Sequence, residues 1–145
     1  MTLSFKDYAK KLEALGENVP KVFKSVAKRG AVHAENTAKK LTDQEKLVDT
    51  GAYRRNWNAE GVELEKDVYA ITLQNSMDYA SHLELGHRLR NGKRWQGRFV
   101  GARSLSDLEG WALLELQNEI DVAMTAQKFN ISKKEARSYI KEANK

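Results

Sequence analysis

The sequence predicts an α+β fold: a long N-terminal helix and a C-terminal helix packed on a small antiparallel β-sheet, with an extended basic loop. Three observations carry this. Apolar and small residues recur at helical spacing between Pro20 and Leu41. Apolar and polar residues alternate on both sides of Glu65-Lys66-Asp67. A second helical period runs from about Leu105 to Ala126. At 145 residues the chain can bury one core, and 41% hydrophobic residues place it among folded chains. We expect residues 1–126 to form a single α+β domain and 127–145 a peripheral helical tail.

The first forty residues read as helix. Phe5, Tyr8, Ala9, Leu12 and Leu15 make one apolar stripe, with Ser4 and Asp7 as start signals and Gly16 as a stop. A longer helix begins with Pro20 in its first turn. Val22, Phe23, Val26, Ala27, Gly30, Ala31, Ala34 and Ala38 lie on one of its faces. The small residues let a neighbouring sheet or helix approach closely. His33, beside this stripe, reads as a structural histidine.

The texture changes at Thr42. Asp49-Thr50-Gly51 is a turn signal, and Tyr53, Arg55, Trp57 and Ala59 then alternate with polar residues. We expect antiparallel strands over 53–64 and 68–75, joined at 65–67, with a bulge or bend at Glu60-Gly61. Two strands alone are marginal in water, so the long helix is expected to cover one face. Arg94-Trp95-Gln96 and Phe99-Val100 are candidates for a further β-arm.

Tyr79, Ala80, Leu83 and Leu85 suggest a short helix ended by Gly86. The helix over 105–126 has Ser104 or Ser106 as a candidate cap and Asp107 and Glu109 for its first turn. Trp57 and Trp111 fall in phase with apolar faces and are expected to be buried. Ser132 and Glu135 form a capping box for a last short helix.

Net charge is +5 and the isoelectric point about 9.4, a moderate basic bias. The chain has no cysteine, which excludes disulfides, thiolate metal sites and a cysteine nucleophile. No apolar run of about 18 residues suggests a membrane span. MTLSFKDYAKKLEALG is amphipathic rather than a signal peptide, so we expect the protein to fold and act in the cytoplasm where it is made.

The basic charge is concentrated. Arg88, Arg90, Lys93, Arg94, Arg98 and Arg103 share one glycine-punctuated stretch with Trp95 and Phe99 and no acid. Like charges oppose folding of such a segment on itself. We expect 87–98 to be mobile in a free subunit and to order against an acidic partner. The partner is either a neighbouring subunit, through acids at 43–49 or 60–67, or DNA phosphate. A solvated tip is the plain alternative.

No catalytic or cofactor motif emerges. Glu84 and His87 stand three apart with His82 nearby, which suggests Glu-x-x-His metal ligation. On one helix, however, His82 and His87 would lie about 140° apart, and Gly86 interrupts the helix between them. We therefore expect neither a metal nor a cofactor, and no enzyme activity.

The ordered motifs resemble a known family. Asp49, Thr50, Gly51, Tyr53, Arg54 and Trp57 come first. Asp78, Tyr79, Ala80, Leu83, Glu84, Leu85 and Gly86 follow, then Arg98, Phe99 and Val100. Over roughly 18–126 this is similar to the bacteriophage tail-component family that includes the tail-completion (head–tail joining) proteins of long-tailed phages. The family's usual proline before its loop-end aromatic is replaced here by Gly97-Arg98-Phe99. The resemblance implies an α+β, non-enzymatic virion protein assembled in the host bacterial cytoplasm. It would form a ring, usually hexameric, at the head-proximal end of the tail tube, where it ends the tail or joins it to the head connector. The partners implied are further copies of the chain, the tail tube protein and the connector or stopper proteins, with passing contact to phage DNA. The loop residues Arg88, Arg90, Lys93, Arg94, Trp95, Arg98 and Phe99 would face a neighbouring subunit or the lumen, with Trp95 and Phe99 as anchors. Asp49, Thr50, Gly51, Tyr53, Asp78, Tyr79, Ala80, Glu84 and Gly86 would be structural. The contrasting reading is a small basic nucleic-acid-binding module that uses 87–103, with Trp95 stacking on bases.

Overall fold

The computed structural model describes residues 10, 13, 15–66 and 68–144. The stripe residues Phe5, Tyr8, Ala9 and Leu12, the start signals Ser4 and Asp7, and Asp67 of the expected turn lie outside them. The fold is α+β. A 3-10 turn, Gly16–Asn18, leads into α1 (Val19–Gln44). There follow α2 (Ala52–Arg55), β1 (Trp57–Glu65), β2 (Val68–Asn75), α3 (Ala80–Leu85), β3 (Gly86–Arg88), β4 (Arg94–Gln96), α4 (Val100–Phe129) and α5 (Lys133–Ala143). The strands form two separate antiparallel pairs, β1 with β2 and β3 with β4. No described helix is long and apolar enough to cross a membrane. The chain divides into two compact units: Ala27–Trp111, and Met1–Val26 with Ala112–Lys145.

In the unit Ala27–Trp111, α1 lies against the β1–β2 hairpin, as its small residues predict. A Cβ on Gly30 would meet Ile71 of β2 at 2.5 Å, and Leu108 and Trp111 of α4 at 3.3 Å. Gly61 faces the Ala27 carbonyl, which leaves no room for a side chain there. That close approach, not a bulge, explains this glycine. The register runs unbroken from Trp57↔Asn75 past Gly61↔Ile71, and the irregularity falls between Glu63 and Glu65.

Helix α1 ends with Lys46 in the left-handed region (φ 55°). Lys46 N donates to Asp43 O and Leu47 N to Thr42 O, both at 3.1 Å, which is the Schellman pattern with lysine in the place usually held by glycine. The expected first strand begins later than its alternation suggested. Tyr53 and Arg55 belong to the single helical turn α2, and extended structure starts at Trp57.

Helix α4 starts at Val100, about a turn and a half before the expected Leu105. Ser104 therefore caps nothing: it is buried and donates back to the Val100 carbonyl at 2.7 Å. Asp107 lies beyond the first turn and accepts from His33 (2.7 Å) and Thr37 (3.4 Å) instead. His33 also stacks on Trp111, with ring centroids 4.7 Å apart. Trp111 is thus half-buried rather than buried, while Trp57 is buried as expected.

In the other unit, Leu15, Val22, Val26, Ile120, Val122, Ala123 and Ala136 are buried. Leu113 and Leu114 of α4 are exposed. Asn130, left-handed at φ 52°, ends α4 by the same Schellman pattern. Ser132 and Glu135 close the capping box of α5, and Phe129 packs on Tyr139 at 5.0 Å. Arg137 pairs with the buried Glu119 at 2.7 Å.

Candidate functional site

Tyr53, Trp57, Ala38, Ala80 and Val100 form one buried cluster, with Leu41, Leu47, Leu73, Met77 and Leu83 packed around it. Its polar atoms form a chain of hydrogen bonds. The Trp57 indole donates to Thr42 Oγ1 at 3.0 Å, and Thr42 donates on to the Ala38 carbonyl at 2.8 Å. The Tyr53 and Trp57 rings meet edge to face at 5.5 Å, and Tyr79 tilts over Tyr53 at 6.2 Å. The Asn75 amide donates to the Tyr53 carbonyl at 2.8 Å, and its Oδ1 accepts from Met77 N at 3.1 Å, which ties the end of β2 to α2.

Glu84 is the polar hub. Its Oε1 accepts the Tyr53 hydroxyl at 3.0 Å, and its Oε2 accepts Gly101 N at 3.0 Å. Gly101 is the second residue of α4. Phe99, at the N-cap position, has no acceptor in its side chain and sits at φ 50°. Glu84 supplies the missing cap from a distance, and its charge suits the positive end of the helix. Burial, with the Glu84 carboxylate beside it, raises the Tyr53 phenol above its ordinary pKa, so it remains a donor. Each Glu84 oxygen thus accepts one hydrogen bond from within the chain.

Gly86 and Gly97 let the chain cross itself beside this hub. Gly86 takes φ 81°, and a Cβ on it would overlap the Trp95 carbonyl. A Cβ on Gly97 would overlap the Glu84 carbonyl. The crossing is held by Arg98 N to Leu83 O (2.8 Å) and Phe99 N to Glu84 O (3.2 Å). Gly51, at φ 76°, starts α2. The Asp49-Thr50-Gly51 loop and Tyr79 border a cleft of about 450 Å³.

Beyond Gly86 the basic segment forms the β3–β4 ribbon, despite its like charges. His87 pairs with Trp95 and Arg88 with Arg94. The tip is closed by Leu89 N to Lys93 O at 2.7 Å. Directly opposed arginines destabilise such a ribbon. What offsets them is packing at its base. The Trp95 ring lies 5.6 Å from His87, and the Arg98 guanidinium lies over the Trp95 ring at 5.5 Å. Trp95 is therefore half-buried in its own chain, whereas Phe99 is exposed. The second expected arm strand does not form, because Phe99 holds the N-cap position of α4 and Val100 opens the helix.

The six bases divide into two groups. Arg103 and Arg98 both pair with Glu45, and Arg103 holds that carboxyl below its usual range. Arg88, Arg90, Lys93 and Arg94 are exposed, with no acid partner among the described residues. Local spacing could not separate the groups, since Glu45 lies at the far end of α1.

His82 and His87, expected to point apart, have ring centroids 5.4 Å apart. Gly86 ends the helix between them and turns the chain back. Among the described residues, no group of three His, Cys, Asp or Glu is placed to hold a metal.

A family model described as "Bacteriophage HK97-gp10, putative tail-component" matches residues 6–86, more than half of the chain. Both motif segments, 49–57 and 78–86, lie inside the match, and the basic ribbon begins at its edge. Comparison with curated proteins and with solved structures finds no significant match.

Proposed function

Since the chain belongs to the HK97-gp10-like family of bacteriophage tail components, we propose that it forms a ring at the head-proximal end of the tail tube, ending the tail or joining it to the head connector. The role is structural rather than catalytic. The ring assembles in the host bacterial cytoplasm from further copies of the chain, usually six, and stacks on tube and connector or stopper proteins. The observation that carries this is the contrast between the two parts of the site. A body locked by Tyr53, Glu84 and Gly101 presents a ribbon whose Arg88, Arg90, Lys93 and Arg94 have no acid partner among the described residues. A closed ring needs two different complementary surfaces on each subunit, and such a body with such a ribbon supplies candidates for both.

Within this reading Trp95 positions the ribbon, and Phe99 remains the exposed aromatic for a neighbour. Light scattering on the purified protein, alone and with tail tubes, tests the proposal, with negative-stain images of the tube ends. Rings capping one end of the tube are expected. A protein that stays monomeric alone and leaves tube ends bare overturns it.

A further inference from the structure

We infer that the outer half of the β1–β2 hairpin receives the basic β3–β4 ribbon of a second copy, a head-to-tail contact between two unlike hairpins of the same chain. The inference rests on the ring reading and names the two faces that such a ring joins.

The receiving surface is defined by where α1 stops covering the hairpin. Ala59 N donates to Glu35, Gly61 abuts Ala27, and Ile71 meets Gly30. Beyond these contacts Val62, Leu64 and Val68 are 37%, 63% and 48% exposed. A two-stranded hairpin with apolar residues left in water is marginal by itself. Among the described residues both of its edges are unpaired, so main-chain donors and acceptors are also open to a partner.

Charge selects the occupant. Segment 60–67 carries Glu60, Glu63, Glu65 and Asp67 against the single base Lys66. The Glu60 and Glu65 carboxylates, both on exposed residues, have no partner among the described residues. The ribbon is the converse. Arg88, Arg90, Lys93 and Arg94 surround the exposed Leu89, and no acid lies between residues 85 and 103. Arg88 and Arg94 face each other across the pair, a repulsion that a neighbour's acids relieve. The other acidic segment, 43–49, is largely occupied: Asp43 holds Arg54, and Glu45 holds Arg103 and Arg98. Acidic-apolar hairpin and basic-apolar ribbon thus match in both charge and hydrophobicity.

The test uses charge reversal on the full chain. One variant carries Glu60→Lys with Glu65→Lys, the other Arg88→Glu with Arg94→Glu. All four positions are exposed, and a thermal melt of each variant establishes that it is folded. Each variant alone is expected to lose the ring in light scattering, because both hairpins then carry the same sign. An equimolar mixture is expected to regain it, since wild-type faces meet each other and reversed faces meet each other. A chain carrying all four changes should form rings as well. Because the chain has no cysteine, Leu64→Cys and Leu89→Cys give an independent readout. Oxidising a mixture of the two single variants should yield the mixed disulfide dimer in excess of either self-dimer.

If the wild type forms rings and both reversed variants do too, this contact is wrong and the ring reading survives. If the wild type never forms rings, the ring reading itself fails. If Arg88→Glu with Arg94→Glu keeps the ring and only weakens salt-dependent binding of double-stranded DNA, the ribbon faces DNA and the inference is overturned.

Discussion

Tyr53 donates its hydroxyl to Oε1 of Glu84 at 3.0 Å, joining the two sequence motifs across 31 residues. The other oxygen of the same carboxylate caps α4 through Gly101. One side chain therefore couples the turn before β1, the short helix α3 and the start of the longest helix.

Removing that donor is expected to be costly. Tyr53→Phe keeps the ring packing but leaves a part-buried carboxylate oxygen unsatisfied, at about 1–3 kcal/mol. Glu84→Gln, which keeps an acceptor for Gly101, should cost less than Glu84→Ala. Urea denaturation of the three variants checks this order, and a Tyr53→Phe midpoint equal to wild type would show that the bond contributes nothing.

The glycines of α4 and of the chain crossing should behave oppositely. Gly97→Ala drives a methyl into the Glu84 carbonyl and should be strongly destabilising. Gly110 lies within α4, and a methyl added there would meet nothing within 4 Å. Gly110→Ala should therefore stabilise the protein by about 0.5–1 kcal/mol. Melting curves of the pair decide, and a tolerated Gly97→Ala would refute the close crossing.

The two tryptophans should differ as well. Trp57→Ala empties a buried site and strands Thr42 Oγ1, at about 3–5 kcal/mol. Trp111 is half-buried against His33, so Trp111→Ala should cost about 1–2 kcal/mol. Equal losses would mean that the depth of Trp111 is misjudged.

Lys46 occupies a left-handed position that lysine disfavours. Lys46→Gly keeps the Schellman bonds and removes the strain, so a gain of up to about 1 kcal/mol is expected. A loss on chemical denaturation would show that the lysine side chain matters more than its backbone.

Acid should weaken the Glu45 bridge. The hydrogen bond from Arg103, with the charges of Arg103 and Arg98, lowers the folded-state pKa of Glu45 below its ordinary 4.5. A depressed carboxylate contributes stability that is fully present above its unfolded value and is lost as pH falls through the folded one. The stability gap between wild type and Glu45→Gln should therefore be constant above about pH 6 and close below about pH 4. A gap that persists unchanged into strong acid would rule out the linkage.

Much of the fold could be read from local periodicity. Small residues along α1 predicted a close neighbour, and alternation on either side of 65–67 predicted the hairpin. Ser132 and Glu135 predicted the last cap, because each of these signals lies within a turn or two of the backbone it organises. The misreadings share one cause. Tyr53 and Arg55 alternate like a strand, yet Tyr53 is held by Glu84 and Asn75, distant in sequence. Ser104 looks like a cap, but the cap of α4 is a carboxylate from the preceding helix. Gly61 looks like a bulge until the Ala27 carbonyl is placed against it. The cluster of six bases is plain in the sequence, whereas its division into two arginines bound by Glu45 and four bases without an acid partner depends on where α1 ends in space. Helical and strand periods are local properties of the chain. Which donor meets which acceptor, and which charge is left for a partner, is settled only when packing brings remote segments together.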